Sequence, residues 1–137
     1  MTVPVASTEI TTAAPAVGAS VRTLLRLEGL AAGAAALALY AHAGFSWPLF
    51  ALLILAPDLA MLAYLAGPRA GALGYNAAHT YVPALALTLA GFLGGVPAVT
   101  AAGLIWVAHI GFDRALGYGL KYPTAFRDTH LGRVGRD

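Results

Sequence analysis

Residues 97–116 read Pro-Ala-Val-Thr-Ala-Ala-Gly-Leu-Ile-Trp-Val-Ala-His-Ile-Gly-Phe-Asp-Arg-Ala-Leu. At 1.5 Å per residue, a helix over this stretch is about 30 Å long, the thickness of a bilayer's hydrocarbon core. His109 and Asp113 stand four apart, so a helix projects them from one face, one turn above the other. Polar groups near the end of such a stretch are expensive and usually functional.

The composition carries the membrane reading to the whole chain. Of the 137 residues, 59% are hydrophobic and 10% charged, against roughly 25% charged in a soluble domain. Mean hydropathy is +0.75. A chain this size is one domain, and a soluble fold has no interior for so much apolar surface. The net charge of +2 comes without a basic run interleaved with aromatics, so nucleic acid is not an expected partner. Cysteine is absent, which leaves His, Asp and Glu as the ligands for any metal.

Residues 1–20, rich in Thr, Ala, Pro and Ser, read as a disordered leader, and 21–137 as the domain. A first apolar stretch covers about 24–43. Arg22, Arg26 and Ala41-His42-Ala43 imitate a cleavable signal, but Glu28 interrupts the block, and Gly29 with Gly33 suits helix packing. The second stretch runs from Ser46-Trp47-Pro48, a cap and first turn, to about Ala66, with a kink expected at Pro57-Asp58. The third, about 70–92, carries Asn76 and His79 on one face. Residues 117–137 read as an interfacial segment broken at Pro123. The expected fold is therefore all-α, a four-helix transmembrane bundle.

All eight Lys and Arg fall on one side of this four-span scheme, at Arg22, Arg26, Arg69, Arg114, Lys121, Arg127, Arg133 and Arg136. The positive-inside rule places that side, and both termini, in the cytoplasm. His109 then lies about 10 Å below the inner edge, Asp113 about 5 Å, Asp58 about 12 Å, His79 about 13 Å and Glu28 about 6 Å. Five ionisable groups from four helices converge in the inner half of the bilayer, where each isolated charge costs roughly 2.5–3.5 kcal/mol.

Two imidazoles and their carboxylates suit a divalent ion such as zinc with a position open for water. His79, His109 and Asp113 are the expected metal ligands. Asp58 and Glu28 are the catalytic carboxylates, Asp58 as ligand or general base and Glu28 behind it. Asn76, Arg69, Arg114 and Lys121 are the expected substrate-binding residues, the three cations near the mouth to hold a phosphate. The expected chemistry is metal-assisted hydrolysis of a lipid-like ester or phosphoester at the bacterial inner membrane. Three other readings stand beside it. One is a polar network in which the same groups merely satisfy one another, and one is a non-catalytic membrane subunit. The third is a transporter or ion-binding module, which needs a homo-oligomer because four short helices enclose little lumen. The sequence names no soluble partner. His42 reads as incidental and His130 as part of a solvated tail.

Leu-Arg-Leu-Glu-Gly at 25–29, Ala-Pro-Asp at 56–58, Gly-Pro-Arg at 67–69 and Tyr-Asn-Ala-Ala-His-Thr-Tyr at 75–81 form a recognisable combination. Ala-His-Ile-Gly-Phe-Asp-Arg at 108–114, Gly-Tyr-Gly-Leu-Lys-Tyr at 117–122 and Asp-Thr-His-Leu-Gly at 128–132 extend it. On these residues the chain resembles a family of small bacterial integral membrane proteins (DUF4260-like) known as a domain of unknown function. The resemblance implies a membrane protein of unassigned activity and makes residues 117–132 part of the domain. It carries no catalytic roles.

Overall fold

The computed structural model describes residues 17–135. Residues 1–16, most of the expected leader, lie outside them, and the first helix starts inside the remainder of that segment, at Ala19. The order is α1 (Ala19–His42), α2 (Trp47–Leu53), a 3-10 helix (Ala56–Ala66), α3 (Pro68–Ala78), α4 (Tyr81–Leu93) and α5 (Pro97–Leu116). A short antiparallel pair, β1 (Asp128–Thr129) and β2 (Gly132–Arg133), follows. The described residues are mostly helical. Two segments, Ala19–His42 and Trp47–Ala66, are long and apolar enough to cross a bilayer by length and composition.

α5 is the axis. It is buried nearly all round, from Ala101 through Leu104, Ile105, Val107 and Ala108 to Ile110 and Arg114. Its neighbours α1 and α4 pack along it, and α3 packs on the 3-10 helix. The helix runs over the residues its sequence predicts. Pro97 sits in the first turn, and Gly117 ends the helix at φ +100°. Tyr118 N then donates to Asp113 O at 2.8 Å and Gly117 N to Arg114 O at 3.0 Å, the two bonds of a Schellman cap.

The α1–α5 contact rests on glycine. A Cβ on Gly111 would stand 2.5 Å from Gly33 N and 2.7 Å from Gly29 O, so only hydrogen lets the two backbones meet. The expected cap at Ser46 also forms, its Oγ accepting from Leu49 N at 3.5 Å.

Two of the expected stretches are broken, and proline explains both. A proline ring clashes with the carbonyl four residues earlier and leaves it without its helical donor. Pro57 does this to Leu53, where α2 stops, and the chain continues as a 3-10 helix with Asp58 N donating to Leu55 O. Pro83 does it to His79, and the third stretch divides at His79-Thr80 into α3 and α4. At the second break two open carbonyls are taken by α5: Trp106 Nε1 donates to Ala78 O at 2.6 Å and Arg114 Nη2 to His79 O, the carbonyl Pro83 frees, at 2.7 Å. Non-helical backbone is thereby satisfied inside protein.

Candidate metal centre

The two breaks and α5 carry one residue group to a single point. Asp58 comes from the 3-10 helix, His79 from the end of α3, and His109 and Asp113 from α5. One ligand atom from each lies within 4.8 Å of all the others. His79 Nε2 stands 3.3 Å from Asp58 Oδ1 and 3.5 Å from Asp113 Oδ2. His109 Nε2 stands 3.5 Å and 3.7 Å from the same two oxygens, and 3.1 Å from His79 Nε2. Atoms bound about 2.0–2.2 Å from a tetrahedral ion are separated by about 3.3–3.6 Å, and these five spacings, 3.1–3.7 Å, lie close to that range.

The hydrogen bonds around the histidines decide what that point wants. His79 Nδ1 lies 2.9 Å from Tyr75 O, a carbonyl that can only accept. The Nδ1 proton is therefore committed, and in the neutral ring Nε2 presents a lone pair. That lone pair faces two carboxylate oxygens and a second imidazole nitrogen. Neutral imidazoles and two carboxylates sum to two negative charges, which a divalent cation at the centre matches. A proton making His79 an imidazolium is the alternative counter-charge.

Tyr75 holds the site twice more. Its hydroxyl donates to Asp113 Oδ2 at 3.2 Å, and its ring stacks on His79 with centroids 3.7 Å apart and planes 9° from parallel. Partners of this kind orient ligands, and their loss typically costs 10–100-fold in metal affinity. Tyr75→Phe keeps the stack and removes the hydroxyl. It is expected to weaken metal binding about tenfold, read by competition with a chromogenic chelator. His79 is fully buried and His109 nearly so, whereas the carboxyl side chains of Asp58 and Asp113 are 30% and 18% exposed. The centre is thus open on its acidic side.

The other expected site residues are not at this point. Glu28 is exposed on α1 and lines a separate cleft with Arg114, Tyr81 and His130. Arg114 is buried, and its guanidinium donates to His79 O and Tyr118 O. Arg69 is exposed in the first turn of α3. Asn76 grips the backbone of Lys121, giving Nδ2–H to its carbonyl at 2.9 Å and taking its N–H at 2.7 Å. Lys121 is buried with Nζ 4.1 Å from the Phe126 ring centroid and 4.9 Å from that of Tyr75, and burial pushes its ammonium below the usual lysine range. Tyr75 and Trp106 were missed in the sequence. The i, i+4 spacing of Tyr75 and His79 is the signal that could have flagged the first.

The segment after α5 is docked rather than free. Leu131 and Thr129 are buried, His130 N donates to Leu120 O, and Leu120 N donates to His130 Nδ1 at 2.8 Å. Burial holds the His130 pKa below the usual histidine value. A base depressed in the folded state binds its proton more readily unfolded, so this contribution is intact above about pH 6.5 and is lost as pH falls below it. Protonation also removes the acceptor that Leu120 N uses. Hydrogen exchange of residues 117–135 is expected to accelerate from pH 7.5 to pH 5 in the native protein, after correction for intrinsic rates. In His130→Gln that acceleration is expected to vanish.

With this geometry in view, the family can be stated. A family model described as Domain of unknown function (DUF4260) matches residues 22–134. The chain belongs to the DUF4260 family. No curated protein and no solved structure matches it. The match spans every described helix except the first turn of α1, together with the docked C-terminal segment, so that segment is part of the family's domain.

Proposed function

We propose that this DUF4260 protein is an integral membrane hydrolase with a divalent-metal centre held by His79, His109 and Asp113, with Asp58 beside the position left for water, acting on a lipid-like ester or phosphoester. The observation that carries the reading is the convergence of His79 Nε2, His109 Nε2 and Asp113 Oδ2 at 3.1–3.7 Å from one another, with Asp58 Oδ1 3.3 Å from His79 Nε2 and the His79 Nδ1 proton committed to Tyr75 O. A metal held there supplies a polarised substrate oxygen and an acidified water. The chain's own residues do the rest. Tyr75 orients His79 and Asp113, and Asp58, the most exposed of the four, is placed to accept the proton of an attacking water. A cleft of about 370 Å³ is lined by Leu53, Pro57, Ala60, Ala78, Leu87 and Trp106, of which Pro57 and Ala78 are the chain neighbours of Asp58 and His79, an apolar surface suited to an acyl chain.

Placement in the plasma membrane of a bacterium, with four crossings and both termini inside, is supported by two patterns. The outer faces carry exposed leucines, Leu52, Leu59, Leu65, Leu73 and Leu85 among them. The basic residues gather at the end where Arg26 Nε donates to Ala115 O and Arg22 lies against Gly132. Toward the opposite end the interior is apolar, with Ala36, Tyr40, Ala84, Ala101, Leu104 and Ile105 buried together, so the cluster opens to one side. That favours a site over a transport path.

The test is metal content after purification in a mild detergent without chelator, followed by hydrolysis of a fluorogenic short-chain ester and of a phosphodiester. One equivalent of metal and metal-dependent turnover of either substrate are expected. Absence of metal with no uptake on titration overturns the reading.

A further inference from the structure

Behind the α3–α4 break lies a second polar cleft, of about 440 Å³, which the metal reading does not use. Its polar end is made of donors. Tyr81 lines this cleft, and its Oη is buried without a hydrogen-bond partner among the described residues. A buried hydroxyl left unpaired is costly, so its presence beside the cleft asks for an acceptor. His130 is tautomerically fixed: Nδ1 accepts from Leu120 N, which leaves the proton of the neutral ring on Nε2. Thr80 lines the same cleft, and its hydroxyl does not cap its own helix.

The charge points the same way. Arg114 is buried, 7% exposed as a residue; its guanidinium donates only to backbone carbonyls and forms no ion pair with any described carboxylate. It contributes a buried positive charge to the cleft wall. Opposite the donors the wall is apolar, from Leu25, Ala32 and Leu120. Glu28, exposed, is the only carboxylate among the described residues that line the cleft.

We propose that this cleft binds a phosphate group through Tyr81 Oη, Thr80 Oγ1 and His130 Nε2, beside the buried charge of Arg114. The apolar wall fits the glycerol and first acyl carbons of a phospholipid, and a free phosphate ion shares the same donor set. Glu28 opposes a bare phosphate dianion and favours a headgroup that also carries an ammonium. The cleft shares no lining residue with the proposed metal centre, and its reading stands whether or not that centre binds metal.

The experiment is calorimetric titration of the full chain in dodecyl maltoside, after treatment with chelator, using dihexanoyl phosphatidic acid, dihexanoyl phosphatidylethanolamine and inorganic phosphate. Saturable binding is expected, weakened about 10–100-fold in Tyr81→Phe and in His130→Gln, the loss of a hydrogen bond to a charged group. Glu28→Gln is expected to tighten phosphatidic acid and weaken the ethanolamine lipid. Binding of the lipids alone assigns the source to the membrane, and equal binding of inorganic phosphate assigns it to the free ion. Either result upholds the site. Binding that needs metal restored, binding unchanged in both Tyr81→Phe and His130→Gln, or no binding by any probe overturns it. Far-ultraviolet circular dichroism of each variant separates loss of the site from loss of the fold.

Discussion

Replacing His79 and His109 together by alanine is expected to lower divalent-metal affinity by at least about a thousandfold and to abolish metal-dependent hydrolysis, while the helical content persists. Two of the three proposed ligands disappear, and two carboxylates are left facing each other with no neutral ligand between them. Two partly exposed carboxylates alone form a weak, hydrated site for a divalent ion. The single substitution Asp58→Asn separates ligand from base. It leaves His79, His109 and Asp113 in place as ligands, so metal is expected to remain while turnover falls about 100–10,000-fold, the usual worth of a positioned acid–base group. If the cluster were only an internal network, the double variant would lose stability and bind as much metal as the native chain, namely none. Equilibrium dialysis against zinc, with inductively coupled plasma analysis, reads the difference.

Gly111→Val is expected to have the largest effect on folding. The first atom of the new side chain would stand 2.5 Å from Gly33 N and 2.6 Å from Gly33 Cα. Those neighbours are backbone on a packed helix and cannot rotate aside. Overpacking typically costs 1–3 kcal/mol, and backbone-to-backbone separation puts this site at or above the top of that range. Because His109 and Asp113 flank Gly111 on α5, moving α1 away also shifts both proposed metal ligands. The expected observation is a fall in the detergent denaturation midpoint together with reduced metal content. Gly95→Ala is the contrast: its Cβ meets nothing within 4 Å, and only the strain of φ +63° remains.

These two positions also show what a linear chain discloses. The bounds of α5, the small-residue seam at Gly29 and Gly33, the Ser46 cap and four of the five converging ionisable groups are local or periodic features. Spacing alone carries them. Glu28 fails for a definable reason. Counting residues gives depth along a helix axis, and depth says nothing about the direction in which α1 turns the side chain. Glu28 faces the second cleft, with Arg114, Thr80 and His130.

The breaks at Pro57 and Pro83 were only half legible. Proline signals a freed carbonyl, yet whether the helix kinks or stops depends on who takes that carbonyl. At the Pro83 break the takers are Trp106 on Ala78 O and Arg114 on His79 O, 28 and 35 residues from the carbonyls they bind. Arg114 looked like a cation at the mouth for the same reason, since its backbone partners are invisible until the chain folds. The docked tail has no apolar period to betray it. It is held by Asn76 on the Lys121 backbone, a contact across 45 residues.

X-ray absorption at the zinc edge of the purified, zinc-loaded protein tests the central claim most directly. The predicted spectrum is a four-coordinate shell of nitrogen and oxygen at about 2.0–2.1 Å with the outer-shell scattering of two imidazoles, reduced to none in the His79→Ala, His109→Ala variant. A six-coordinate shell of oxygen without imidazole scattering, or a spectrum the double variant leaves unchanged, would contradict a metal centre at His79, His109 and Asp113.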